Sequence, residues 1–449
     1  MKKMLVMELN ELCPSLMEQF IAQGKLPNFA KLKVDSFAIE TETDATGEDL
    51  NPWVQWVDVH TGLDWEEHEV KQLSKLENFK HEFIWDTLSR EYGISNWICG
   101  SMNAKYSQNF KGRFLPDPWC TNIQPSHQDN MEVYYNYVSQ SVQNHSKGEA
   151  TSSLQFAQSL LKQGVSFKTV FGVVKQLFNE KIRNKGAWKR AMWLDRIQLE
   201  VFKHYYKNEK PQFATFFSNA VAHFQHHYWS DYEPDVFSLN ESEINKSTQN
   251  AILDAYRNTD FLVGELRELV GEDTAIIFAT GLSQSPYTKD RRHYYHLNSK
   301  DLLYSFFGIS AEAKYSPIMA EQFFLKFPTE KMSKEALEHL CKFKMDSNEY
   351  FHVGSDQLFL VSRDDNTLQV QCRLSKVTTD KAEFFYSDAQ DKKHRFQDYF
   401  YRMNEFKTGM HNPVGLYWFK GNNKESIQSK ERVKPSSIHH DILEYFVEA

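Results

Sequence analysis

Two short apolar runs separated by one long amphipathic stretch constrain this chain more than any other feature. Phe213–Phe217 (FATFF) and Ala275–Ala279 (AIIFA) are apolar at nearly every position and too short for helices, as strands buried on both faces are. Between them, INKSTQNAILDAYRNTDFLVGELRELVG (Ile244 to Gly271) carries apolar residues at helical spacing and stops at a glycine. Strand, crossover helix and strand make a βαβ unit, and such units build parallel sheets. Met4–Met7 reads as another buried strand, followed by an amphipathic helix over Pro14–Gln23. Val54–Val59, a mixture of Trp and Val, reads as a strand ending before Thr61-Gly62. Phe83–Glu91 reads as a helix, Ser95–Cys99 as a strand and residues 145–200 as largely helical.

Near residue 310 the pattern changes. EYFHVGSDQLFLVSRDDNTLQVQCRLS alternates apolar and polar residues about an Asp364-Asp365-Asn366 turn, as a hairpin does. The expected fold is α/β, with a mostly parallel central sheet flanked by helices. Its core would comprise residues 1–310 plus 396–449, and 311–395 would form a smaller insertion containing the hairpin.

With 449 residues, 41% hydrophobic and 25% charged, the chain has the composition of a globular protein. A net charge of −8 argues against nucleic acid as a partner, since such proteins carry basic faces. The five cysteines are scattered and form no C-x-x-C pair, which reads as small core residues in a reducing compartment. The apolar run at the N-terminus stops at Glu8, too early for a signal peptide. No run approaches the ~18 apolar residues of a membrane span. A cytoplasmic protein is expected.

Five segments, in order, resemble the alkaline phosphatase superfamily, and within it the type I phosphodiesterase/nucleotide pyrophosphatase branch. LVMELNELCPSLMEQFIAQGKLPNFAKL resembles the opening strand, metal-ligand turn and G-x-L-P-N segment. NPWVQWVDVHTGLDWEEHEV is similar to the nucleophile segment. ILDAYRNTDFLVGELRELVGEDTAIIFATGLS resembles the long helix and the strand that ends in S-D-H-G. TGMHNPVGLYWFKG is similar to the late metal-binding His segment, and SSIHHDILEYF to the closing helix.

The resemblance implies two divalent cations that activate a Thr or Ser nucleophile and stabilise phosphoryl charge. For the first cation, the opening Asp is matched by Asn10, or by Glu8 in a shifted register. The nucleophile is matched by Leu50, and S-D-H-G by Thr280-Gly281-Leu282-Ser283. Nearly every ligand on that side is replaced. For the second cation, Asn219 stands where the family has Asp, with His223 four residues on and His411 as the late His. His227 shares a helix face with His223, the i, i+4 spacing that suits zinc. Asn219, His223, His227 and His411 are therefore the candidate ligands for one Zn or Mn ion with an open position for water. The other reading of the cluster is a hydrogen-bonded patch of histidines and aromatics.

Glu48, Asp49 and His60 are candidates for catalytic base, and Asn10 and Asn51 for substrate contacts. Arg291 and Arg292, in KDRRHYYH beyond the Ala275–Ala279 strand, are candidates for binding an anion. Lys181–Arg196, KIRNKGAWKRAMWLDR, interleaves cations with tryptophans. It suits peripheral contact with an anionic membrane, or else a helix face covering the core. Two functions stay open. One is an enzyme acting on a phosphate or sulfate ester of a small molecule, glycan or nucleotide. The other is a catalytically inactive relative that binds an anionic ligand or a partner protein.

Overall fold

The computed structural model describes residues 2–76, 79–120, 122–127, 129–143, 153–183, 186–239, 241, 244–288, 293–318, 321–351, 355–403, 407–421 and 428–447. They form two compact units, Met1–Pro286 with Gly409–Ala449, and Tyr287–Thr408.

The first unit is built on an eight-stranded sheet. Its strands include β1 (Met4–Leu9), β2 (Phe37–Glu42), β3 (Asn96–Cys99), β4 (Gly112–Leu115), β5 (Phe213–Ser218) and β6 (Ala275–Ala279). β1 lies at the centre, parallel to β5 on one side and β6 on the other, with Met4 opposite both Phe213 and Ala275. β3 and β4 extend the parallel array beyond β5. Val414–Lys420 runs antiparallel between β6 and β2, and Gln428–Val433 closes that edge parallel to β2. The sheet is thus mostly parallel, as the βαβ pattern implies. Every residue of β1 and β6 is buried, which is why both read as continuous apolar runs. Leu5, Met7, Leu9, Phe216, Phe278 and Trp418 belong to one core with Phe20, Phe29 and Phe202.

Two elements differ from what the sequence pattern implies. Pro52–Thr61 is a helix, not a strand, and closes on a left-handed Gly62 (φ 72°). Proline at its first position sets the helical φ. Nearly the whole segment from Pro52 to Thr61 is buried, so no polar face marks a helical period. The long crossover helix starts at Ala251 rather than Ile244. Residues 145–200 do form helices where they are described, at Ser153–Lys162, Phe167–Arg183 and the start of Arg190–Glu209. In the Lys181–Arg196 segment, Trp188, Met192 and Leu194 pack against the core. Its aromatic face therefore turns inward.

The second unit carries its own antiparallel sheet, ordered Phe400–Arg402, His293–Leu297, Thr367–Leu374, Phe323–Lys326 and Lys314–Pro317. Leu360–Asp364 pairs with Thr367–Leu374 across the expected turn, where Asp365 is left-handed (φ 48°). Phe307, Phe343, Phe359, Phe384 and Phe400 fill its core. The unit is wider at both ends than 311–395, because His293–Leu297 and Phe400–Arg402 pair with each other and extend the sheet from Thr367–Leu374. Among the described residues no helix is long and apolar enough to cross a membrane.

Asp195, in the Arg190–Glu209 helix, is buried and accepts a hydrogen bond from Ser218 Oγ at 2.8 Å. Burial pushes its carboxyl up from 3.8 to about 7, against the smaller lowering effect of the Ser218 bond. A raised carboxyl favours the folded state while protonated, so its contribution is full below pH ~4 and is lost as pH rises through about 7. Stability should fall by up to roughly 4 kcal/mol across that window on account of this group. Asp195→Asn should flatten the slope, which thermal melts at pH 4.5 and pH 8 would measure.

Candidate metal centre at the tip of the central strand

β1 ends in the sheet's middle, and its carboxyl end continues as Asn10 and Glu11. Glu11 is left-handed, with φ 62°, a conformation that costs a bulky side chain on the order of 1 kcal/mol. The surroundings hold it there. Glu11 N–H donates to Thr280 O at 3.1 Å, and Glu11 O accepts Gln225 Nε2 at 2.7 Å. Gln225 is itself fixed, because its Oε1 accepts from Tyr256 Oη at 2.8 Å and from the Cys13 amide at 3.3 Å. The carboxylate is thereby turned inward and buried. Its Oε1 accepts Asn10 Nδ2 at 2.8 Å, and its Oε2 accepts Gln284 Nε2.

Two imidazoles meet the same carboxylate. His226 comes from the Ala220–Tyr232 helix that follows β5. His411 comes from Gly409–Asn412, which pairs with β7 (Ser283–Pro286) and sets His411 opposite Gln284. His226 Nδ1 lies 2.7 Å from Gly409 O, and His411 Nδ1 lies 2.9 Å from Leu50 O. A carbonyl can only accept, so each Nδ1 carries the hydrogen and each Nε2 of a neutral ring presents its lone pair. Those Nε2 atoms stand 3.4 Å (His226) and 3.5 Å (His411) from Glu11 Oε2. This is longer than the ~2.7–2.9 Å of a charge-assisted hydrogen bond. It fits the ~3.3 Å edge of a tetrahedron of donors about 2.0–2.1 Å from zinc. One ligand atom from each of Glu11, His226 and His411 lies within 4.8 Å of the other two. The backbone carbonyls behind both rings supply the partners that orient metal-binding histidines. Burial works to raise the Glu11 carboxyl, but His411, His226 and Gln284 together outweigh it and hold it at about 2.

The structure brings together only part of the expected ligand set. His411 is in the cluster. Asn219 instead accepts a hydrogen bond from Asn10 Nδ2 on its Oδ1, at 2.8 Å. His223 and His227 face each other, ring centroids 4.5 Å apart, and burial, with His226 adding, pushes His223 down to about 4. Glu11 and His226 take the places that sequence spacing assigned to Asn219, His223 and His227. The segment HFQHH offered His226 directly, but the i, i+4 preference pointed to its neighbours. Glu11 follows Asn10, and only its left-handed backbone turns it into the site.

Beside Asn10 and Gly281, two positions at which the resemblance implies first-cation ligands, lies the indole of Trp56. Trp56 Nε1 donates to Asn10 Oδ1 at 2.8 Å. Gly281 is left-handed (φ +69°), and a Cβ there would come within 3.1 Å of Trp56 Cε2 and 3.2 Å of Nε1. His60 does not open into a cleft. It is buried against Trp56, with ring centroids 5.7 Å apart, and its Nε2 lies 2.9 Å from Glu8 Oε1. Asp49 is part-buried, 3.7 Å from Lys71 Nζ. Asn51 precedes the Pro52–Thr61 helix and accepts the amides of Val54 and Gln55 on its backbone oxygen. Leu50, at the nucleophile offset, contributes the carbonyl that orients His411. Arg291, Arg292 and the Glu48 side chain lie outside the described residues.

No described protein family matches this sequence, and no curated protein does. Among solved structures, the chain is similar to phosphonoacetate hydrolase from Sinorhizobium meliloti 1021 in complex with phosphonoformate. That similarity spans 99% of this chain and 95% of the other, at 9% identity and a TM-score of 0.44. It is also similar to murine ectonucleotide pyrophosphatase/phosphodiesterase 5, over 99% of this chain and 95% of the other, at 10% identity and a TM-score of 0.41. At these values the likenesses locate nothing in the site, which stands on its own geometry.

Gly281→Ala should destabilise the protein by roughly 1–3 kcal/mol, combining backbone strain with crowding against Trp56. Gly24→Ala makes the comparison, since Gly24 is equally left-handed (φ +66°) with nothing within 4 Å of its would-be Cβ. Urea denaturation of both variants should show the larger loss at Gly281.

Proposed function

We propose that this chain binds one divalent cation, zinc by the character of its donors, through Glu11, His226 and His411, and hydrolyses a phosphate ester there. The observation that carries the reading is the pair of Nε2 atoms 3.4 and 3.5 Å from one carboxylate oxygen, with both Nδ1 atoms tied to backbone carbonyls. Two histidines and a glutamate, leaving a fourth position open, make a donor set typical of catalytic zinc. When bound, such an ion lowers the pKa of water and polarises a phosphoryl oxygen.

The chain's own residues supply the positioning. Gly409 O and Leu50 O aim the imidazoles, Gln284 and Asn10 hold the two carboxylate oxygens, and Gln225 holds the Glu11 backbone. Leu50, at the offset where the resemblance implies the nucleophile, has no hydroxyl to offer, which favours water as the attacking oxygen in this reading. The phosphate-ester class is favoured by the five ordered segments that resemble phosphodiesterases, and a glycan- or nucleotide-linked ester is the expected substrate. Gly281 and Leu282, where that family carries Asp and His, favour the second reading, a relative that binds the anion without turnover.

Elemental analysis of the purified protein should find about one zinc per chain. Glu11→Gln, His226→Ala and His411→Ala should each weaken metal binding at least tenfold, whereas His223→Ala should retain it. With metal bound, hydrolysis of bis(p-nitrophenyl) phosphate should fall about a hundredfold or more in His226→Ala. Metal-free protein, or metal kept by a His226→Ala/His411→Ala double variant, would overturn the assignment. Bound metal without turnover would establish the binding reading instead.

A further inference from the structure

From the outward face of the Phe167–Arg183 helix we infer that the first unit docks on an anionic lipid surface, independently of the metal site. The helix, FKTVFGVVKQLFNEKIR, exposes Phe167 (78%), Phe171 (69%), Val174 (55%), Leu177 (46%), Phe178 (62%) and Ile182 (64%). These six are nearly half of the thirteen large apolar side chains exposed in the described chain. Their spacing of i, i+4, i+7, i+10, i+11 and i+15 gathers them onto one face. Exposed apolar residues scattered singly need no explanation, but a contiguous stripe of this kind marks a contact surface.

The opposite face of the helix is already occupied. Val170 and Val173 pack on the core, and Gly172 sits so close to Trp193 that a Cβ would come within 2.2 Å of its ring. Thr169 bonds Glu200. Glu180, the helix's one carboxylate, is buried on this side and accepts Arg190 Nε at 2.8 Å. The stripe therefore cannot turn inward without undoing packed contacts.

Charge selects the occupant. Lys168, Lys175 and Lys181 are exposed beside the stripe, and no acidic side chain of the helix faces outward with them. The sequence from Lys181 to Lys189 holds four cations and no carboxylate, in a chain of net charge −8. Two copies meeting face to face would set lysine rows against each other, whereas anionic headgroups neutralise them. A 17-residue helix is about 26 Å long. With three phenylalanines on one side and lysines at its border, it has the make-up of a helix that lies in the interface plane.

The test is co-sedimentation with phosphatidylcholine vesicles and with vesicles containing roughly a third phosphatidylglycerol. The full chain should bind the anionic vesicles at least tenfold more tightly, and high salt should weaken that binding. Phe171→Ser/Phe178→Ser should reduce it at least tenfold, and Lys168→Gln, Lys175→Gln and Lys181→Gln by about fivefold each. All these positions are exposed, so unchanged melting temperatures would confirm that the variants fold. Three results would overturn the inference. One is no sedimentation with either vesicle. Another is equal binding to neutral and anionic vesicles. The third is a dimer in light scattering that Phe171→Ser/Phe178→Ser dissolves, which would assign the face to a second copy.

Discussion

One buried carboxylate organises the carboxyl end of the central strand. Glu11 sits at the end of the central strand in a backbone conformation that disfavours it, and a carboxylate deprived of water must be compensated. The adjacent Asn10 and three residues distant in sequence, His226, Gln284 and His411, supply that compensation. The short β7 ladder brings Gln284 and His411 side by side, and the helix after β5 brings His226. Removing the Glu11 charge would leave these polar groups facing one another with no common centre.

Asn10 holds the other side of the same strand tip. Asn10 keeps hydrogen bonds to Trp56, Glu11 and Asn219 at once, so its amide serves as a structural hub. A neutral amide can donate and accept in this way, which an aspartate could not. Trp56 then packs over Gly281, where any side chain would crowd it.

Much of the architecture could be read in advance. β1, β5 and β6 are apolar at almost every position because both faces of a parallel sheet are covered, and the crossover helix announces itself by its period. The Pro52–Thr61 helix was hidden, because burial on all sides erases the polar face that betrays a helical repeat. The edges of the second unit were hidden too, since strand pairing between His293–Leu297 and Phe400–Arg402 joins residues about a hundred positions apart.

The sequence by itself determined the α/β class, the mostly parallel sheet, and that Gly281 and Leu282 carry no carboxylate or imidazole. Tertiary structure alone decided that Glu11 and His226, rather than Asn219, His223 and His227, complete a set of donors with His411. The physical reason is that helix spacing fixes which residues share a face but not where that face points. A left-handed φ at Glu11, sustained by hydrogen bonds from Gln225 and to Thr280, leaves no periodicity behind in the amino-acid order.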